Sequence, residues 1–409
     1  MNQPFIPFHV PSIGEDEITE VTATLRSGWL TTGPRTARFE TEFAAYTGSK
    51  YALAVNSCTA ALHLALVGLG IGPGDEVITT PTTFCATVNT ILHVRATPVL
   101  ADVGPEGNID PRSIASRITP RTRAIVPVHL AGYPCQMDEI WKLARQHKLS
   151  VIEDAAHAAG TFYRGAHLGS ETSASDAVAY SFYATKNITT GEGGMLTTSN
   201  EELAKRVRRL TLHGISKDAW NRYAENGSWY YDVVEPGFKY NLTDIQSAIG
   251  IHQLRRIESF IEQRTALAEL YNRQLADAEE LELPAACPYG RHSWHLYLLK
   301  VKSDLLTIGR DEFIAELRRR QIGTSVHFIP VQLHPFFAAH AGRAENQCPA
   351  ALERYYRSVS LPLYPGLTES QVLRIASAVK DILHIAKRKP MVAVGATALI
   401  AASRSRAKA

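Results

Sequence analysis

Lys186 is the chemically suggestive residue of this chain, because of what surrounds it. It ends the stretch Ser181-Phe182-Tyr183-Ala184-Thr185-Lys186, and a glycine-rich corner, Gly191-Glu192-Gly193-Gly194, follows. The alternating residues 177–182 read as a half-buried strand running into the lysine turn. Most lysines are solvated charges. One held between a buried strand and glycines that admit close backbone approach can instead be a partly desolvated amine. Such an amine can form a Schiff base with an aldehyde.

The elements that must position this lysine alternate regularly. Strand patterns fall at residues 51–55, 76–80, 98–103, 124–128 and 149–153, with helical patterns at 59–69, 84–93 and 137–147. That alternation predicts an α/β fold built on a mostly parallel sheet covered on both faces. In such sheets ligands bind beyond the carboxyl ends of the strands. Read as one set, those ends carry Ser57, Cys58, Thr59 and Ala60 opening a helix, then Phe84, His129, Asp154, His157, Ser181 and Lys186.

This edge offers what pyridoxal phosphate needs. Lys186 is the amine for its aldehyde, and Ser57, Thr59, Ala60 and Ser181 offer hydroxyls and helix N-terminal N–H groups for its phosphate. Asp154 can keep the pyridine nitrogen protonated, and Phe84 can stack on the ring. Each residue alone has a plainer reading. Asp154 could cap a following helix, Thr59 could be another cap, Ser181 a satisfied strand hydroxyl, Phe84 core, and His157 an interior histidine. Their convergence on one edge favours function.

From Gly237 onward the pattern changes. Thr243 and Gln246 have capping-box spacing, and an apolar stripe continues through Ile245, Ile249, Leu254, Ile257 and Ile261. A helix over 244–275 is expected to lead into a smaller α/β unit, with strands at 294–301 and 324–329 and helices at 310–320 and 368–385. The expected division is a large domain over 1–242, a linking helix and small C-terminal domain over 243–388, and a basic, apolar tail over 389–409 outside the fold. The apolar run 391–402 is shorter than the ~20 residues a spanning helix needs.

Composition excludes several classes. The 409 residues are 45% hydrophobic and 20% charged, with a net charge of +3. No basic stripe with interleaved aromatics points to nucleic acid. Five cysteines without Cys-x-x-Cys spacing argue against a disulfide framework or a zinc site. The first ten residues lack a signal-peptide pattern, so a cytoplasmic protein is expected. The glycines at 68, 70, 72 and 74 miss the dinucleotide spacing and follow a helix, and no P-loop motif occurs.

Taken together, Glu153-Asp154-Ala155-Ala156-His157, the Ser181 to Lys186 stretch and Gly191-Glu192-Gly193-Gly194 resemble the DegT-type nucleotide-sugar aminotransferases. Gly28 to Pro34, Asn56 to Leu62, Gly72 to Val77 and Gly237 to Asp244 extend the resemblance across residues 7–387. It implies the fold type I architecture of pyridoxal-phosphate enzymes and a homodimer with its active sites at the interface. It assigns Lys186 as the Schiff-base lysine and Asp154 as partner of the ring nitrogen. Ser57, Cys58, Thr59, Ala60 and Ser181 fall around the phosphate, Phe84 on the ring and His157 near the 3′-oxygen. Asn241 is similar to the residue that reaches the neighbouring subunit's phosphate, and Thr31 and His327 fall where the family lines its sugar pocket.

The implied reaction has two halves. An amino acid, glutamate in most of the family, displaces Lys186, which then serves as base and acid. The amino group next passes to the ketone of a nucleotide-linked sugar. Residues 213–220 and 237–244 are nearest to enzymes acting on UDP-4-keto sugars, many of which have tryptophan where this chain has Phe84. Relatives that instead remove a sugar hydroxyl carry histidine at the lysine position, so Lys186 argues against that reaction. The Lys186 and Asp154 pair also argues against a non-catalytic sugar-nucleotide sensor.

Overall fold

The computed structural model describes residues 3–215, 230–340 and 348–388. The run 216–220 and the tail 389–409 lie outside the described residues. The helices are α1 (Glu15–Ser27), α2 (Pro34–Thr47), α3 (Cys58–Gly68), α4 (Cys85–His93), α5 (Pro111–Arg117), α6 (Met137–His147), α7 (Glu201–Thr211), α8 (Asp244–Leu275), α9 (Arg310–Arg319), α10 (Pro335–His340), α11 (Pro349–Arg357) and α12 (Glu369–Ala386). The first five strands are β1 (Tyr51–Val55), β2 (Glu76–Thr79), β3 (Thr97–Leu100), β4 (Thr122–Val126) and β5 (Ser150–Ala155). After two short strands, β6 (Phe162–Tyr163) and β7 (Ala166–His167), come β8 (Ala177–Ser181) and β9 (Gly194–Thr198). The chain adds β10 (Leu281–Glu282), β11 (Gly290–Arg291), β12 (Tyr297–Val301) and β13 (Ser358–Leu361).

The central sheet has the order β1-β9-β8-β5-β4-β2-β3 and is the mostly parallel α/β layer that the sequence predicts. Only β9 runs antiparallel to its neighbours in this sheet. The sheet strands except β3 are almost wholly buried, as expected with helices on both faces. Gly194, the first residue of β9, pairs with Val55 on one side and Ser181 on the other. A Cβ there would lie 2.5 Å from the carbonyl carbon of Ser57 and 2.6 Å from the Cys58 nitrogen. Glycine is therefore a steric requirement at the point where β9 meets the start of α3.

Helix α8 joins two hydrophobic cores. Its capping box is formed, with the Thr243 hydroxyl accepting from the Gln246 N–H and the Gln246 side chain accepting from Thr243 N–H. Over 32 residues, about 48 Å at 1.5 Å per residue, the helix changes partners. Ile251, Leu254, Ile257, Phe260 and Ile261 pack with β5 and β8 residues, whereas Leu267, Ala268, Tyr271 and Leu275 pack with β12 and β13. Ile6 belongs to the second core and bridges Ile322, so the N-terminal segment also reaches across.

The expected strand at 324–329 does not form. Only Ser325 makes a ladder contact, to Ser360, after which His327 and Phe328 turn toward the sheet edge. The alternation there reflects side chains that fill a cavity wall. At the start of α8, the fully buried Asp244 carboxylate accepts from the backbone N–H groups of Gly33, Arg35 and Thr36 and from the Thr36 hydroxyl. It thereby caps α2 from a distant segment and fixes the loop at 28–33. Asp244→Ala leaves these donors without an acceptor, and the expected loss is about 2–4 kcal/mol of unfolding free energy. Urea denaturation of the variant checks this value.

Candidate active site

A cavity of about 550 Å³ opens between the carboxyl edge of the central sheet and the second core. That volume suits a cofactor-sized ligand. Ser57, Cys58, Thr59, Phe84, Asp154, His157, Ser181, Lys186 and His327 all line it. The structure therefore brings together most of the site residues read from sequence. Ala60 is buried behind this wall. Thr31 and Asn241 lie outside the cavity of the single chain. Thr31 is exposed and accepts the Asp244 N–H at its carbonyl, and Asn241 donates through its side chain to Thr32 Oγ1 at 2.8 Å.

Lys186 follows β8 in a turn closed by its own N–H to the Tyr183 carbonyl. The loop returns through Thr190 N–H to Phe182 C=O and Phe182 N–H to Gly193 C=O, setting the lysine beside the start of β9. Solvent reaches its side chain through the cavity, yet protein surrounds it on most sides. Burial pulls the amine down to about 8, against the opposing pull of Asp154 and Cys58.

Asp154 follows from the two-residue alternation of β5. Glu153 faces away, where its carboxylate lies 2.8 Å from His129 Nε2 in a fully buried pair. Asp154 points into the cavity, accepting from Thr87 Oγ1 at 2.7 Å and from Ala156 N–H at 3.1 Å. No helix follows, since residues 156–160 are turn and irregular backbone, so the capping alternative is set aside. Burial pushes its carboxyl above the usual range, while Thr87, the Ala156 N–H and the Lys186 charge work against that. A carboxylate so enclosed favours a cationic ligand group beside it.

The N-terminus of α3 is capped by Ser57, whose hydroxyl accepts the Ala60 N–H at 3.1 Å. The cap is thus Ser57 and not Thr59. The Ala60 N–H, read from sequence as a phosphate donor, is held here by the Ser57 hydroxyl. The exposed donors at this terminus are the groups of Ser57 to Thr59, with Ser181 across from them on β8. Phe84 is 62% exposed at the head of α4, with its ring 6.2 Å from Phe328. A core role for it is thereby excluded.

His157 accepts the Ala131 N–H at Nδ1, 3.2 Å away, which leaves its proton on Nε2. Burial holds its pKa well below the ordinary value, helped by the charges of Lys186 and His327. His327 Nδ1 lies 2.7 Å from Ser360 Oγ, and burial with the nearby Lys186 charge lowers the ring to about 3. Sequence reasoning missed other cavity residues, among them Phe8, His9, Thr87, Glu192 and His295. Thr87 was within reach of a helical reading, one turn beyond Thr83 on α4. His9 and His295 arrive from segments that carry no strand-end signal. The cavity thus presents an amine, a carboxylate, helix N-terminal donors and an exposed aromatic face on one wall, a donor set that matches pyridoxal phosphate.

Comparison with known proteins agrees with this geometry. Residues 11–380 match the DegT/DnrJ/EryC1/StrS aminotransferase family. The spore coat polysaccharide biosynthesis protein SpsC of Bacillus subtilis is 51% identical over 381 residues, 93% of this chain and 97% of that protein. Among solved structures, Spr1654 from Streptococcus pneumoniae, a provisionally assigned sugar aminotransferase in its PMP form, superposes with a TM-score of 0.87 at 34% identity, covering 93% of this chain and 99% of that one. Its PLP form gives 0.86 at 33% identity, over the same shares of the two chains. Helicobacter pylori PseC, an aminotransferase of pseudoaminic acid biosynthesis, gives 0.86 at 29%, covering 94% of this chain and 100% of that one. The chain belongs to the DegT/DnrJ/EryC1/StrS family of pyridoxal-phosphate-dependent sugar aminotransferases.

Proposed function

We propose that this enzyme moves an amino group from L-glutamate to the ketone of a UDP-linked 4-keto sugar, supplying an amino sugar for a surface polysaccharide, lipid A or a glycoside. The observation that carries the reading is the convergence of Lys186, Asp154 and the α3 N-terminus on one cavity. When bound, pyridoxal phosphate supplies an aldehyde that carries the amino group and an electron-withdrawing ring. Every other task falls to the chain. Lys186 would hold the group through its aldehyde and, as a free amine, would take the proton from the donor's α-carbon and later give it back. A pKa of about 8 suits both directions.

Asp154 holds the ring nitrogen protonated, and Phe84 covers the ring face. Ser57, Cys58, Thr59, Ala60 and Ser181 bound the phosphate. His157, with its proton on Nε2, would meet the 3′-oxygen. His327 lines the sugar side of the pocket. Thr31 and Asn241, outside their own chain's cavity, serve the site of a second copy in a homodimer, Asn241 at the phosphate and Thr31 at the sugar. A cytoplasmic location follows from the substrates, because nucleotide-linked sugars and glutamate are cytoplasmic metabolites. The part of the Bacillus subtilis relative in spore coat polysaccharide biosynthesis supports a polysaccharide product.

The decisive test is the absorption spectrum of the cofactor-loaded protein. Glutamate should abolish the visible band, and a UDP-4-keto sugar should restore it. No response to glutamate or to a panel of UDP-, dTDP- and GDP-linked keto sugars would sink the assignment. Lys186→Ala should lose the borohydride-reducible bond to the cofactor and lower turnover at least ~10²–10⁴-fold. Asp154→Asn should bind cofactor but turn over about 10²–10³-fold more slowly. With Lys186 at about 8, the unprotonated fraction sets the rate of cofactor capture by the stripped protein. That rate should rise about tenfold per pH unit below pH 8 and level off above it. A profile still climbing beyond pH 9.5 would contradict the lowered amine.

A further inference from the structure

Arg264 is fully buried in the middle of α8, and no carboxylate lies within ion-pair distance among the described residues. Burial alone lowers its pKa, to about 9, with no charged partner to offset it. A buried cation without a counter-charge is costly unless dipoles replace the lost water. Here the replacements are three backbone carbonyls around Nη1: Leu363 at 2.7 Å, His295 at 3.2 Å and Trp294 at 3.3 Å. Its Nε and Nη2 have no hydrogen-bond partner among the described residues.

The place of this arginine is as telling as its bonds. It stands between Ile261, the last α8 residue of the first core, and Leu267, the first of the second core. The carbonyls it grips belong to two separate segments, 294–295 before β12 and 363 after β13. Both segments form cavity wall, since His295 and Leu363 line the cavity that holds Lys186. Tyr271, seven residues on and on the same helical face, holds the adjacent Pro362 carbonyl at 3.0 Å. The Arg264 charge also contributes to holding His295 and His9 neutral, behind burial as the main cause.

We propose that Arg264 is a positioning residue for the reaction, acting through His295: its guanidinium fixes the His295–Leu363 wall against Lys186 where α8 passes from one core to the other. Arg264→Lys is not equivalent, because an ammonium on a shorter, flexible stem is not held at the Nη1 position and gives up more hydration on burial than a guanidinium. The inference rests on the proposed reading of the cavity as the reaction site.

The test is a double-mutant cycle on the holoenzyme, with Arg264→Lys, His295→Ala and both together. Stopped-flow absorbance gives the limiting rate of the glutamate half-reaction, while cofactor content and thermal melting report the fold. Each single change should slow the limiting rate about tenfold or more with the cofactor load retained, and the double should stay within about threefold of the slower single. A double variant slowed by the product of the two singles overturns the proposal, as does an Arg264→Lys enzyme within about twofold of the parent. If Arg264→Lys does not fold, Arg264→Gln takes its place in the cycle. Failure of both to fold assigns Arg264 to folding alone and also overturns it. The Lys186→Ala control separates the two readings: inert Lys186→Ala with an additive cycle defeats only this inference, whereas active Lys186→Ala defeats the proposed function itself.

Discussion

Enclosing an amine and a carboxylate in one cavity is the constraint on which the rest of this structure depends. Burial drives both toward their neutral forms, Lys186 downward and Asp154 upward, and each opposes the shift of the other. Neither is locked into a short ion pair with the other among the described contacts. Asp154 is satisfied instead by the Thr87 hydroxyl and the Ala156 N–H, which fix its direction without neutralising it. A carboxylate held this way lacks a full counter-charge, and on the proposed reading a protonated ring nitrogen supplies it. The same enclosure leaves Lys186 near the pH at which an amine can both take up and release a proton.

That enclosure depends on a backbone contact. The antiparallel β9 enters the sheet between β1 and β8, and its first residue is paired with the last residue of each. With no side chain at Gly194, the Ser57–Cys58 peptide can close onto it, which sets the α3 N-terminus beside Ser181. A larger residue would separate the helix terminus from the lysine loop. The glycine corner after Lys186 thus serves the phosphate end of the cavity as much as the lysine itself.

Local chemistry explains which parts were legible from sequence. Strand β1 and helix α8 run over 51–55 and 244–275 as read, because period-two and period-3.6 patterns with strong caps leave little choice of boundary. Asp154 and Lys186 were legible because strand ends in a parallel sheet share an edge. The strand β9 was hidden by the glycines that begin it. The 324–329 segment alternates like a strand but has only one ladder position open beside β13. His9 and His295 follow no strand of the central sheet, and the packing of the second core carries them to the cavity, with Arg264 behind its wall. In sequence Arg264 is one more charge on a long helix, since its three carbonyl partners are 30, 31 and 99 residues away.

The histidines missed from sequence change how proton transfer must be divided. His9, His157, His295 and His327 surround the lysine, and burial keeps all four neutral at pH 7, with His9 lowered to about 4 and His327 to about 3. The Lys186 charge contributes to each of these shifts, so protonating any of them would place a second cation against the first. Imidazoles in this state can donate or accept hydrogen bonds but are poor bases for a carbon acid. With Lys186 poised near 8, the proton work of the proposed reaction concentrates on one amine. The histidines are left to orient ligands, which makes the position of a wall such as His295 matter more than its acidity.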